Sequence, residues 1–184
     1  LTHSSISSES ELGLAASVSQ RLAERMTGLP EAVPAKVVNG IANVRLGDTE
    51  AAKHSLRNAL IPTFPHLRAY RRQAERHLVK LLMKDNDTNG VQDFYSSQIA
   101  ACTARLGEEH FETLGLRVRL ARWLLSHADD KQTAKRMLSD VVELASMDDP
   151  PAARVRQEAQ AILADFVYPG ATNPVAEPSS QEGD

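Results

Sequence analysis

Residues 46–62 have the sequence LGDTEAAKHSLRNALIP, in which a helix end, a tight turn and a second helix follow one another. Gly47 suits the end of a helix, because glycine enters the left-handed region without a Cβ clash. Asp48 can cap the next helix, whose first turn holds Thr49 and Glu50. Four apolar residues then share one helical face: Ala52, Leu56, Ala59 and Leu60. Pro62 ends the pattern, so the stretch predicts two consecutive antiparallel helices.

The composition favours closely packed helices. The chain has 184 residues, of which 42% are hydrophobic and only 4% are aromatic. This Ala/Leu-rich, aromatic-poor balance favours an all-α protein over a β-sandwich. The net charge of -3 argues against general nucleic-acid binding. No stretch is apolar enough to predict a membrane span, and no signal peptide is evident, so we expect a cytoplasmic protein without membrane association.

Taken in order, the apolar spacing predicts eight helices in antiparallel pairs and no strand. Residues 1–10 are Ser-rich and residues 169–184 are rich in Pro, Ser and Glu, which predicts disorder at both ends. Residues 11–168 between them form the predicted helical domain. On the helix from about His66 to Lys84 we expect Tyr70, Ala74, Leu78, Leu81 and Leu82 to face inward.

The turn-and-helix pattern recurs twice. Ala52, Val91 and Ala134 occupy the same place after their turns, 39 and 43 residues apart, which is typical of helix-pair repeats. Equivalent positions follow at Leu56, Tyr95 and Leu138.

These features resemble the tetratricopeptide repeat family. The run Gly47–Pro62 is similar to the second-helix half of its consensus, and LGEEHFETL at 106–114 is similar to the Leu-Gly-x-x-His-x-x-Thr-Leu signature of kinesin-light-chain-like bacterial repeats. The resemblance covers roughly residues 34–147. It implies an α-solenoid whose inner groove binds a protein or peptide. Asn39 and Asn43 depart from the pattern, since large apolar residues are expected there, whereas Gly40 fits its small-residue position.

The sequence contains no convincing catalytic or metal-binding constellation. Its histidines are scattered over different elements, and no His-x-x-x-His pair or Gly-x-Ser-x-Gly motif occurs. The single cysteine, Cys102, has small apolar neighbours that predict a buried hydrophobe. We therefore expect no enzyme activity, no metal and no cofactor.

The most specific feature is a basic stripe on the predicted helix from His66 to Lys84. Arg72, Arg76, Lys80 and Lys84 recur every four residues along one slowly drifting face. Aligned on the repeat, Arg76, Lys80 and Lys84 fall where members of the resembled family line the inner groove, and the same alignment of the next repeat places Arg119 and Trp123 there. Such cations beside an aromatic ring suit an acidic peptide or a terminal carboxylate.

Plainer interpretations stay open. Most charged helix faces are solvated surface, and that interpretation takes precedence, with Glu75 and Asp85 as neutralising neighbours. Trp123 is equally compatible with a core position. Nucleic acid is disfavoured by the acidic total.

The leading prediction is thus a binding scaffold. Its alternative is the sensor or regulatory part of a larger bacterial transcriptional or signalling protein, which the start at Leu1 rather than Met slightly supports. A homo-oligomer is left open.

Overall fold

The computed structural model describes residues 3–26, 29–60, 65–127 and 130–167. The described part of the chain is all-α, with no strand. Its eight α-helices are α1 (His3–Arg25), α2 (Ala32–Leu46), α3 (Thr49–Leu60), α4 (Arg68–Lys84), α5 (Thr88–Leu106), α6 (Phe111–His127), α7 (Lys131–Leu144) and α8 (Pro150–Val167). A single 3-10 turn, Pro65–Leu67, precedes α4. The predicted all-α class is confirmed, and the described residues contain the predicted eight helices.

The two predicted disordered ends differ in outcome. Helix α1 begins at His3 rather than near Glu11, so residues 3–10 are helical where we expected disorder. The tail, residues 169–184, lies outside the described residues.

The same capped turn occurs before α3, α5 and α7. In each case an Asp carboxylate accepts a hydrogen bond from the backbone N–H three residues later, which satisfies a free donor of the first helical turn. The three pairs are Asp48 with Ala51, Asp87 with Gly90 and Asp130 with Thr133, at 3.0, 2.8 and 3.0 Å. Gly47 ends α2 in the left-handed region with φ +81°, as predicted. The turn predicted from residues 46–62 therefore occurs three times, each time with an Asp cap at the start of the following helix.

Buried residues follow each capped turn in the same register. The fourth residue after each capping Asp is fully buried in all three helices, and the residue four positions further on is also buried. These are Ala52 and Leu56 in α3, Val91 and Tyr95 in α5, and Ala134 and Leu138 in α7. The common register explains why the three helices present similar apolar faces.

The chain forms two compact units, residues 1–91 and 92–184, so the predicted domain at 11–168 has helices in both. In the first unit α1 packs on α2, α2 on α3 and α3 on α4, and α2 also contacts α4. In the second unit α6 packs on α7 and α7 on α8, and α6 also contacts α8. Each unit thus contains a set of three helices in which every helix contacts the other two: α2, α3 and α4 in the first unit, and α6, α7 and α8 in the second.

The crossing of α2 and α3 is close because Gly40 has no side chain. A Cβ at this position would lie 2.6 Å from Leu56 Cγ, and Leu56 is fully buried. Beside the crossing, Asn39 Nδ2 donates to Ser55 Oγ at 2.8 Å, and Asn43 Nδ2 donates to Asn39 Oδ1 at 3.1 Å. The two asparagines that depart from the family pattern thus form a hydrogen-bonded chain instead of an apolar contact.

The loop before α6 is fixed by three residues of the LGEEHFETL run. Gly107 takes a left-handed conformation with φ +90°. The Thr113 hydroxyl, on a fully buried residue, donates to the Gly107 carbonyl oxygen at 2.9 Å. His110 Nδ1 accepts from the Glu112 N–H at 3.2 Å. These contacts give the motif a structural role in shaping the loop.

The prediction that Tyr70 faces inward is wrong, since Tyr70 is 41% exposed. Residues four apart drift by about 40° around a helix, so Tyr70 lies about 80° behind Leu78. The four other residues of the predicted inner set, Ala74, Leu78, Leu81 and Leu82, are buried as expected. The apolar pattern located the core face correctly but extended it one turn too far.

Candidate functional site

The basic stripe on α4 lies on the surface. Arg72, Arg76, Lys80 and Lys84 are all exposed. Leu78 and Leu82 are fully buried, and the centre of the stripe points away from them around the helix. The register that separates the charged face of α4 from its core face is therefore the predicted one.

The two carboxylates that we expected to neutralise the stripe are held elsewhere. Glu75 is only 9% exposed and belongs to the buried side of α4. Asp85 Oδ2 lies 2.6 Å from Lys53 Nζ on α3, and the same ammonium group lies 2.9 Å from Glu50 Oε1. The hydrogen bond that Lys53 donates to Asp85, followed by the one that it donates to Glu50, raises the pKa of Lys53. Lys53 thus holds Asp85 in a contact with α3.

No carboxylate within the described ranges forms an ion pair with Arg72, Arg76, Lys80 or Lys84. A charge without a nearby counterion keeps its attraction for an incoming anion, because no internal partner has to be displaced. Within the described residues, the charges of the stripe are therefore not neutralised by an ion pair.

Arg45 on α2 adds a fifth cation to this surface, which sequence reasoning missed. His77 on α4 is half-buried, and its pKa is lowered by burial and then by the positive charges of Arg76, Lys80 and Arg45. Three cations from two helices therefore act on one imidazole. Arg45 lies near the cations of α4 only because α2 packs against α4. The spacing of residues along the sequence therefore does not predict that Arg45 belongs to this surface. We call Arg45, Arg72, Arg76, Lys80 and Lys84 the basic face.

Arg119 and Trp123 belong to the second unit, on α6. Arg119 is half-buried. Trp123 is 8% exposed, and its ring stacks on His127 with centroids 5.7 Å apart and planes at 14°. This burial agrees with the core position that was left open for Trp123. The convergence of these two residues with Arg76, Lys80 and Lys84 stays a prediction.

The second unit has a cleft of about 480 Å³ between α5, α6 and α7. Its charged lining combines both signs, and Glu108 pairs with Arg117 at 3.6 Å within it. The lining residues are Ile99, Glu108, Arg117, Thr133, Arg136, Met137, Asp140, Glu143 and Leu144. Neither Arg119 nor Trp123 is among them. Since both acidic and basic groups line it, the cleft has no single-sign charge that would select one class of ion.

Two further features bear on the function. In the described part of the chain, no group of three or more His, Cys, Asp or Glu side chains is placed to hold a metal ion. None of the described helices is both long and apolar enough to cross a membrane.

Comparison of the chain with protein-family models, with curated proteins and with solved structures finds no match.

Proposed function

We propose that the chain is a non-enzymatic binding scaffold of the tetratricopeptide-repeat type, and that its basic face binds an acidic segment of a protein partner. The observation that carries the proposal is the set of exposed cations on α4 without carboxylate partners within the described residues. The capped turns and their buried registers support a helix-pair repeat, because they recur 39 and 43 residues apart, an interval that is longer than the usual tetratricopeptide unit.

The spacing of the cations favours one form of ligand. Residues four apart on a helix lie about 6 Å apart along its axis, so Arg76, Lys80 and Lys84 form a row with that repeat. Side chains on one face of an extended peptide repeat at about 6.6–6.8 Å. A peptide with an acidic residue at every second position, laid along α4, would therefore match the row of cations. We take this alternating acidic peptide as the ligand class.

A binding titration with a defined probe tests the proposal. The probe is a fluorescein-labelled peptide of alternating Glu and Ser, and the readout is fluorescence anisotropy against the full chain. We expect saturable binding that weakens as salt rises, because exposed charges are screened over about 8–10 Å near physiological ionic strength. A peptide with Lys in place of Glu is expected not to bind.

Charge reversal locates the interaction. Lys80→Glu should raise the Kd about tenfold, since it converts one exposed attraction into a repulsion. Arg57→Glu is the matched control, because Arg57 is also exposed in the first unit but lies on α3, and the change in net charge is identical. If Lys80→Glu and Arg57→Glu weakened peptide binding equally, the effect would be due to the overall charge of the chain. That result would contradict a binding site on α4.

A further inference from the structure

Helix α1 has apolar residues on two opposite faces. Its small buried residues, Ala16, Ser19 and Ala23, are on the side that packs in the first unit, where α1 contacts α2. Its larger apolar residues are exposed instead: Leu14 by 65%, Val18 by 51% and Leu22 by 47%. At 100° per residue these three lie within about 40° of one line along the helix, roughly opposite the buried face. A row of exposed apolar side chains on one face is typical of an interaction surface.

The charges at the two ends of this row are opposite. Glu11 and Arg25 are both exposed, and each lies seven residues from Val18. Seven residues correspond to about two helical turns, so both charges lie on the same line as the apolar row. We call Glu11, Leu14, Val18, Leu22 and Arg25 the α1 strip. Its apolar members are symmetric about Val18, whereas its end charges change sign across Val18.

That pattern is complementary to itself in the antiparallel sense. When two copies of α1 run in opposite directions and cross at Val18, Leu14 of each faces Leu22 of the other, and Glu11 of each faces Arg25 of the other. A parallel pairing would place Glu11 against Glu11 and Arg25 against Arg25, which is repulsive. A two-fold contact of this kind is the commonest form of homo-oligomer, because one patch serves both sides.

We infer that the α1 strip docks on the α1 strip of a second copy of this chain, in an antiparallel helix pair centred at Val18. Three apolar side chains form a small contact beside the roughly 800 Å² per partner of a standard interface. The dimer is accordingly weak and forms at high micromolar concentration. This inference is independent of the proposed function, because no residue of the α1 strip belongs to the basic face.

Sedimentation equilibrium over a range of concentrations tests for the dimer. The mass should rise from the 20.1 kDa of one chain toward twice that value. Val18→Asp should keep the chain monomeric at every concentration while the helical circular dichroism stays unchanged, because Val18 is half exposed. A wild-type chain that remains monomeric at millimolar concentration would overturn the inference.

Disulfide trapping tests the direction of the pair. Val18→Cys should cross-link with itself, since it lies on the two-fold axis. Leu14→Cys alone should not cross-link, but Leu14→Cys combined with Leu22→Cys should. The native Cys102 is buried and does not compete. Gln20→Cys, exposed on another side of α1, is the control and should not cross-link. Efficient cross-linking of Leu14→Cys alone would indicate a parallel pair and contradict the antiparallel model.

The end charges provide a third, reversible test. Arg25→Glu should raise the dimer Kd roughly 5- to 10-fold, because two attractive pairs become repulsive. Adding Glu11→Arg to the same chain restores both pairs and should return the Kd to the wild-type value. A double variant as weak as Arg25→Glu alone would show that Glu11 and Arg25 do not meet, and a dimer indifferent to all these changes would place the interface elsewhere.

Discussion

Single residues at the α2–α3 crossing combine polar side chains with a close helix contact. Gly40 lets the backbone of α2 approach Leu56, as the small position of a helix-pair repeat requires. The polar residues on either side would leave buried groups unsatisfied if each stood alone. Asn39 donates a hydrogen bond to Ser55 across the two helices and accepts one from Asn43. The three polar side chains therefore form one hydrogen-bonded chain.

We predict that Gly40→Ala destabilises the chain. The added methyl group would press on the fully buried Leu56, and overpacking of this kind costs about 1–3 kcal/mol. The gain in helix propensity from Gly to Ala, about 1 kcal/mol, offsets only part of that cost. Gly13→Ala is the control, because nothing lies within 4 Å of its Cβ position in α1, and it should stabilise the chain. Urea unfolding followed by circular dichroism measures both changes, and a Gly40→Ala chain at least as stable as the wild type would refute the close crossing.

At the scale of the element, α4 separates two environments around one helix. The buried side holds Leu78 and Leu82, and the opposite side concentrates positive charge near His77. A lowered pKa keeps His77 neutral at pH 7. His77 therefore binds a proton more tightly in the unfolded chain than in the folded chain. As a result, the free energy of unfolding falls as the pH drops from the ordinary histidine pKa to the lower pKa of the folded chain.

His77 should report ligand binding to the basic face. An acidic peptide brings negative charge near the imidazole, so we expect the pKa of His77 to rise on binding. Because protonation and binding then favour each other, the peptide should bind more tightly as the pH falls through that pKa. Lys80→Glu should raise the same pKa without any peptide. NMR titration of the imidazole Cε1–H signals measures these shifts, with His54 on α3 as the internal control. A His77 pKa that saturating peptide leaves unchanged would exclude binding beside it.

Local chemistry explains which elements could be predicted from the sequence. Asp48, Asp87 and Asp130 are capping residues followed by apolar periodicity, and both signals act within one or two helical turns. Tyr70 also fits an inward pattern, yet it is exposed, because its burial depends on which helix packs against it. Arg45 could not be predicted for the same reason, because it belongs to the basic face only through the packing of α2 on α4. Helix positions could thus be predicted, whereas the full membership of the surfaces could not.

At the scale of the whole molecule, charge is divided unevenly between the two compact units. Residues 1–91 hold twelve Lys and Arg against nine Asp and Glu, whereas residues 92–184 hold nine against fifteen, giving formal charges of +3 and -6. The overall charge of -3 therefore conceals a basic unit that includes α4. An excess of positive charge on the first unit would also favour the approach of an acidic partner, since long-range attraction raises association rates.

The most direct test of the central claim is to map the bound acidic peptide on the chain. The measurement is a titration of the ¹⁵N-labelled protein with the alternating Glu–Ser peptide, followed by amide chemical-shift changes in two-dimensional NMR. Our account predicts that the largest changes cluster at residues 72–84 of α4 and around Arg45 at the end of α2, and that they shrink in high salt and in Lys80→Glu. Changes centred on α3, on the second unit or on no contiguous surface would contradict the assignment of the basic face as the binding site.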